Sequence, residues 1–191
     1  MLLATVAVAR AGEDPKAVVQ ANADRIIAVL SNEALSQEQK RQQVEDIVVS
    51  GVDFEILSRL VLARNWSRFS PAQQDEFMRE FRRHLSQTYG RRLDQYRNEK
   101  IQVTSERTES NGDVTVKSRI LRGGAGADVD LDYRLRKVDG QWKIIDFVIE
   151  QVSLVSNFRS QFQDIVASGG PERLLTVLRE KTAKGEEFKA S

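Results

Sequence analysis

The chain has 191 residues, 40% of them hydrophobic and 30% charged, and Lys+Arg 29 against Asp+Glu 28 leaves a net charge of +1. That length suits one domain with its own core, the composition excludes a disordered or membrane-spanning chain, and the balanced charge speaks against a dedicated nucleic-acid binder. Cys 0 excludes disulfides, thiolate metal sites and Cys nucleophiles, and His 1 leaves any triad or His-rich metal site hanging on His84 alone.

Met1–Ala9 is apolar but too short to cross about 30 Å of hydrocarbon as a helix. Ala9-Arg10-Ala11 and the polar Gly12-Glu13-Asp14-Pro15 follow it, as they would a signal-peptidase site. Residues 1–11 therefore read as a signal peptide short of its charged leader, with a frayed apolar N-terminus as the alternative, and 12–184 as a single α+β domain. Asp14 is an N-cap with Pro15 in the first turn, leading into Val19, Ala23, Ile26, Ile27 and Leu30 at helical spacing. Ser36 and Gln39 form a capping-box pattern ahead of Val44, Ile47 and Val48, with Gly51 expected as the C-cap glycine. Asp53 caps a short third helix carrying Phe54, Leu57, Leu60 and Val61. Ser70-Pro71-Ala72-Gln73 is the clearest helix start, and Phe77, Phe81, Leu85, Tyr89, Leu93 and Tyr96 form one long aromatic stripe behind it.

The period then switches from 3.6 to 2. Ile101 and Val103 begin one strand; Val114, Val116, Ser118 and Ile120 share the face of the next, after the Asn111-Gly112 hairpin signal. Gly123–Gly126 makes a second turn. Val129, Leu131, Tyr133 and Leu135 alternate with Asp128, Asp130, Asp132 and Arg134. Asp139-Gly140 makes a third turn, and Trp142–Ile149 is a fourth strand with apolar residues on both faces. Short turns imply an antiparallel meander. Ser156 is expected to cap a helix carrying Phe158, Phe162, Ile165 and Val166, ended by Gly169-Gly170. Pro171 starts a last helix with Leu174, Leu175 and Leu178. The polar tail from Lys181, and 185–191 above all, is expected to fray. The expected fold class is α+β, with helices wrapped over a curved four-stranded antiparallel meander, nuclear-transport-factor-like, with a hydrophobic cavity.

Few constellations suggest chemistry. Asp128, Asp130 and Asp132 lack the glycine and distal glutamate of a calcium loop and read as a solvated strand face. Gly123–Gly126 lies between strands, so it is a hairpin turn and not a phosphate loop. His84 reads as a partly exposed helix-surface residue. Arg79, Arg82, Arg83, Arg91, Arg92, Arg97 and Lys100, interleaved with acids, read as a solvated helix face, with docking of lipid headgroups or an acidic partner as the alternative. Asp146 is placed by simple alternation on the face of Trp142, Ile144 and Val148. Small cone-shaped folds of the nuclear-transport-factor type sometimes use such an acid as a general base. The alternative is a buried carboxylate accepting hydrogen bonds from a neighbouring backbone or Arg. The converging apolar faces fit either a solid core or a hydrophobic cavity.

Asp53-Phe54, then Leu60–Trp66, then Ser70-Pro71-Ala72-Gln73-Gln74 with the aromatic stripe, then Trp142–Glu150 running into Val152–Val155 and Asn157-Phe158-Arg159, Gln161-Phe162 and Ile165, resemble in order and spacing the MlaC family, the toluene-tolerance type of periplasmic phospholipid-binding protein. The chain departs from that pattern at Gln151 and Ala63, where a glycine is expected. The resemblance implies a periplasmic, non-enzymatic carrier, acting as a monomer without a cofactor beyond its phospholipid cargo. It also implies two partners, an outer-membrane lipoprotein–porin complex and an inner-membrane ABC transporter with MCE-domain, permease and ATPase parts, which together maintain outer-membrane lipid asymmetry. The expected lining is Phe54, Leu57, Leu60, Trp66, Phe77, Phe81, Tyr89, Val103, Val116, Leu131, Tyr133, Ile144, Val148, Val152, Phe158 and Phe162. The rival readings are a pocket enzyme of isomerase or dehydratase type using Asp146 as base, and an interaction module docking a partner helix.

Overall fold

The computed structural model describes residues 14–93, 98–122 and 126–188; the suspected leader 1–11, Tyr96 and the first three residues of the Gly123–Gly126 turn lie outside them. Among the described residues, α1 (Pro15–Ser31), α2 (Gln37–Gly51), α3 (Phe54–Leu62), a 3-10 turn (Ala63–Arg68) and α4 (Pro71–Leu93) precede the sheet. The strands are β1 (Lys100–Thr108), β2 (Val114–Leu121), β3 (Val129–Val138), β4 (Gln141–Ile149) and β5 (Val152–Ser153), followed by α5 (Leu154–Lys184).

Side chains set most helix starts. The Asp14 carboxylate accepts from the Lys16 N–H with Pro15 in the first turn. Ser36 with Gln39 and Ser70 with Gln73 form reciprocal capping boxes, each satisfying two N–H groups that have no partner inside the helix. Two expected boundaries need correction. Gly51 is not a left-handed cap: it lies within α2, where a Cβ would sit 3.1 Å from Asn22 Nδ2, so its role is close approach to α1. Ser156 does not cap α5; the Ser153 hydroxyl does, accepting from the Ser156 N–H at 3.0 Å.

The sheet has five strands in the order β1-β2-β3-β4-β5, not four, with every strand pair antiparallel. The fifth arises because Val152 and Ser153 fold back on Ile149 and Val148 through a two-residue turn, Glu150-Gln151, before α5 begins. Both turn residues have positive φ, 48° and 66°, as do Asp139 and Gly140 (48° and 80°) in the turn between β3 and β4. Paired positive φ values are the signature of the turn whose twist matches flanking strands.

β4 carries a bulge. Arg134 pairs with Asp146 but Leu135 with Ile144, so Ile145 is an extra residue and the alternation reverses there. Asp146 therefore lies on the opposite face from Trp142 and Ile144, which corrects the simple alternation, and shares its face with Val148. The other face of the sheet joins the helices: Val114, Val116, Tyr133, Leu135 and Ile144 belong to one buried cluster with Leu57, Val61, Phe77, Phe162 and Leu174. α4 packs chiefly on α5, α3 and α2. Arg159 of α5 donates two bonds to the Leu60 carbonyl of α3, at 2.9 and 2.6 Å, satisfying a carbonyl in the last turn of α3.

α5 breaks at Gly170 (φ 70°, ψ −172°), with Pro171 opening the second half, as the Gly169-Gly170-Pro171 sequence predicts. Its end differs from the expected fraying. The helix runs on to Lys184, Gly185 closes it in the left-handed conformation, and Phe188 turns back to lie 9% exposed in the core. No helix among the described residues is long and apolar enough to cross a membrane.

Candidate functional site

The aromatic stripe of α4 meets the first half of α5 in a layer of rings. Phe77 stacks on Phe81 with centroids 5.3 Å apart, and Phe158 meets Phe81 edge-on at 5.0 Å. Phe162 contacts Phe77 at 5.8 Å and Phe158 at 5.3 Å. These offset and edge-on geometries suit the ring quadrupole. Four residues expected to line a hollow thus fill space against one another.

At the C-terminal end of this layer a cleft of about 240 Å3 remains. His84, Thr88 and Tyr89 of α4 form one wall and Ile149 and Val152 a second. Leu154, Asn157 and Phe158 of α5 make a third, and Glu187 and Phe188 of the tail close it. Of the expected lining, the cleft gathers Tyr89, Val152 and Phe158. Val152 is 59% exposed and marks the rim. Leu57, Val116, Tyr133 and Ile144 are buried in the core, and Phe54, Leu60, Trp66, Val103 and Leu131 are half-buried against it. Trp66 lies under the Arg59 guanidinium at 5.3 Å.

Val148 faces elsewhere. With Gln151, Thr104, Lys117, Ser118, Arg119, Asp130 and Asp132 it lines a polar concavity of about 320 Å3. Arg119 and Asp130 are paired there at 3.1 Å. The β4–β5 turn thus separates a polar hollow from the more apolar cleft. Asp130 accordingly behaves as a strand-face acid paired across the sheet.

Asp146 lines neither hollow. It is fully buried, and both carboxylate oxygens are occupied: the Ser153 hydroxyl donates to one at 2.6 Å and the Val155 N–H to the other at 3.0 Å. Arg134 approaches to 3.9 Å. The carboxylate satisfies the first turn of α5 and joins β4 to it, a structural assignment for both oxygens.

Sequence reasoning missed His84, Thr182 and Phe188. His84 is 1% exposed, not a surface residue. Its spacing from Phe77 and Phe81 was the available signal, since i, i+4 and i+7 share one helix face. The Thr182 hydroxyl donates to the Leu178 carbonyl at 2.7 Å, so His84 Nδ1–H is the donor in its 3.3 Å contact with that hydroxyl. His84 Nε2 is then a bare acceptor, and it is buried with no partner among the described residues. Burial first, and the Lys181 ammonium second, lower the His84 pKa from 6.5 to about 4.

The family model for MlaC protein matches residues 20–180. The toluene tolerance protein ttg2D of Pseudomonas putida is 28% identical over 127 residues, 66% of this chain, and the chain spans only 59% of that relative's length. The intermembrane phospholipid transport system binding protein MlaC of Haemophilus influenzae is 24% identical over 177 residues, covering 89% of this chain and 83% of its own. Among solved structures, a phospholipid-binding protein from Ralstonia solanacearum, in complex with a phospholipid, superposes with a TM-score of 0.81 at 28% identity, covering 90% of this chain and 98% of its own.

Proposed function

Because the chain belongs to the MlaC family, we propose that it is a periplasmic carrier that binds phospholipid and shuttles it between an outer-membrane lipoprotein–porin complex and an inner-membrane ABC transporter with an MCE-domain subunit. The observation that carries this reading is likeness, over 90% of the chain, to a structure that holds a phospholipid. The cleft between α4, α5 and β5 supports it, because Tyr89, Ile149, Leu154, Phe158 and Phe188 give it an apolar side and it opens at the exposed Val152. Acyl chains enclosed there, against Tyr89 and Phe158, would leave the headgroup in water at the rim.

The energetics fit a carrier. Each buried methylene contributes about 0.8 kcal/mol, so a chain of about sixteen carbons left in water would cost on the order of 13 kcal/mol. Such a chain has to be enclosed along nearly its whole length, and its release calls for a partner that favours an opened state. Covalent chemistry has no part in this reading, since Asp146 is committed to the start of α5. Organic extraction and mass spectrometry of the protein purified from cells test it. Near-stoichiometric phospholipid is expected. Protein that comes out free of lipid, and stays so after incubation with phospholipid vesicles, refutes the carrier.

A further inference from the structure

The cleft holds about 240 Å3, whereas pockets that enclose even a drug-sized ligand run from about 300 to 1,000 Å3. A lipid site at this place has to widen, and its walls are held very differently. Ile149 and Val152 belong to the sheet, and Leu154 and Asn157 to the end of α5 that Asp146 anchors. Glu187 and Phe188 belong to no helix or strand.

The tail wall follows Gly185, whose left-handed backbone (φ 64°, ψ 31°) ends α5. It bonds back to the last turn of that helix: Gly185 N–H to the Thr182 carbonyl, Glu186 N–H to the Lys181 carbonyl, and the Lys181 ammonium to the Glu186 carboxylate and the Glu187 carbonyl. The Phe188 ring itself packs inward, 5.0 Å from Phe162, 5.9 Å from Phe158 and 5.0 Å from His84, with the Lys181 ammonium 5.3 Å away. The site it covers contains a buried acceptor without a partner, His84 Nε2, an unusual cost for a core to carry.

We propose that the slot filled by the Phe188 ring is the inner seat of an acyl chain, and that Gly185–Phe188 stands in for that chain until lipid displaces it. The proposal rests on the phospholipid reading above and adds the place and the occupant. A phenyl ring and a stretch of alkyl chain are equivalent fillers of a dry aromatic slot, so either keeps Phe158 and Phe162 from water. Exposing one ring costs far less than leaving a long alkyl chain in water, because apolar stabilisation scales with buried area. For a chain that would otherwise face water, exchange therefore runs toward the loaded state. Moving the tail also uncovers His84 Nε2 to a hydroxyl or ammonium donor from water or from the polar end of the lipid.

Uptake by delipidated full-length protein from vesicles of phosphatidylethanolamine and phosphatidylglycerol, doped with a pyrene-acyl phosphatidylethanolamine, tests this. Phe188→Ala is expected to load at least about tenfold faster than the parent, the factor that loss of 1.4 kcal/mol of ring burial represents. Equal rates in two folded proteins overturn the stand-in while leaving the carrier intact. Failure of both proteins to load overturns the carrier reading and this proposal with it. A second measurement needs no variant: carboxypeptidase should trim the lipid-loaded parent past Phe188 sooner than the lipid-free parent. Equal or slower trimming of the loaded protein overturns the proposal even if Phe188→Ala does not fold.

Discussion

Gln151 sits at φ 66° beside Glu150 at 48°, a turn geometry that glycine adopts without the clash a Cβ brings. The equivalent turn between β3 and β4 uses Asp139-Gly140, where the second residue is the preferred glycine. Ala63, at the end of α3 with φ 48° and ψ −124°, is a second non-glycine residue in a sparsely populated region. Gln151→Gly and Ala63→Gly are each expected to stabilise the protein by about 1 kcal/mol, read as a higher urea midpoint at unchanged slope. His84 gives a pH dependence. Its folded pKa of about 4 lies below the unfolded value of 6.5, so the fold favours the neutral ring. The stability this provides is complete above pH 6.5 and is lost as pH falls from there through 4, about 3 kcal/mol in all. Urea unfolding at pH 7.5 and pH 5 should show the loss, and His84→Phe should reduce it. Asp113, which Arg136 holds below its ordinary carboxylate range through a paired hydrogen bond, adds a loss only at more acid pH.

At the scale of elements, α5 depends on one residue. Gly170 at φ 70° and ψ −172° occupies a region open essentially to glycine, and it turns the second half so that Leu174, Leu175 and Leu178 are fully buried. Gly170→Ala should cost about 1–3 kcal/mol, a fall in Tm of about 2–4 °C per kcal/mol in a chain of this size. Calorimetry checks it. Elements of this kind were legible because their signals are local: the Asp14, Ser36, Asp53 and Ser70 caps, the Gly-Gly-Pro break and the Asp139-Gly140 turn each lie within a few residues. β5 was not legible, because two residues carry no periodicity and their pairing follows from a turn without glycine. The face of Asp146 was misplaced for a related reason. Nothing in Trp142–Ile149 marks Ile145 as the extra residue, and one extra residue reverses every side chain beyond it. The candidate site was legible only in part. Tyr89 and Phe158 announced themselves as aromatics on amphipathic faces, but Phe188 stands alone in a polar tail, and only tertiary packing gives it a place.

For the whole molecule, cargo and stability are linked. A ligand that binds the folded chain and not the unfolded one raises the unfolding free energy, by about 2.7 kcal/mol at a hundredfold excess over Kd. Delipidated protein should therefore melt several degrees below the lipid-loaded protein, and adding phospholipid back should restore the difference. Identical melting curves would mean that the folded chain does not bind the lipid in preference to the unfolded one.

β4 also dictates how the molecule can open. The Asp53 N–H, at the start of α3, bonds the Ile144 carbonyl at 2.9 Å, and the Val155 N–H, at the start of α5, bonds Asp146 two residues further along the same strand. Both helices are thus riveted, at their first turns, to neighbouring points on one rail. They form a fixed jaw, and under the displacement proposed above the yielding jaw is the segment after Gly185, which belongs to no helix or strand.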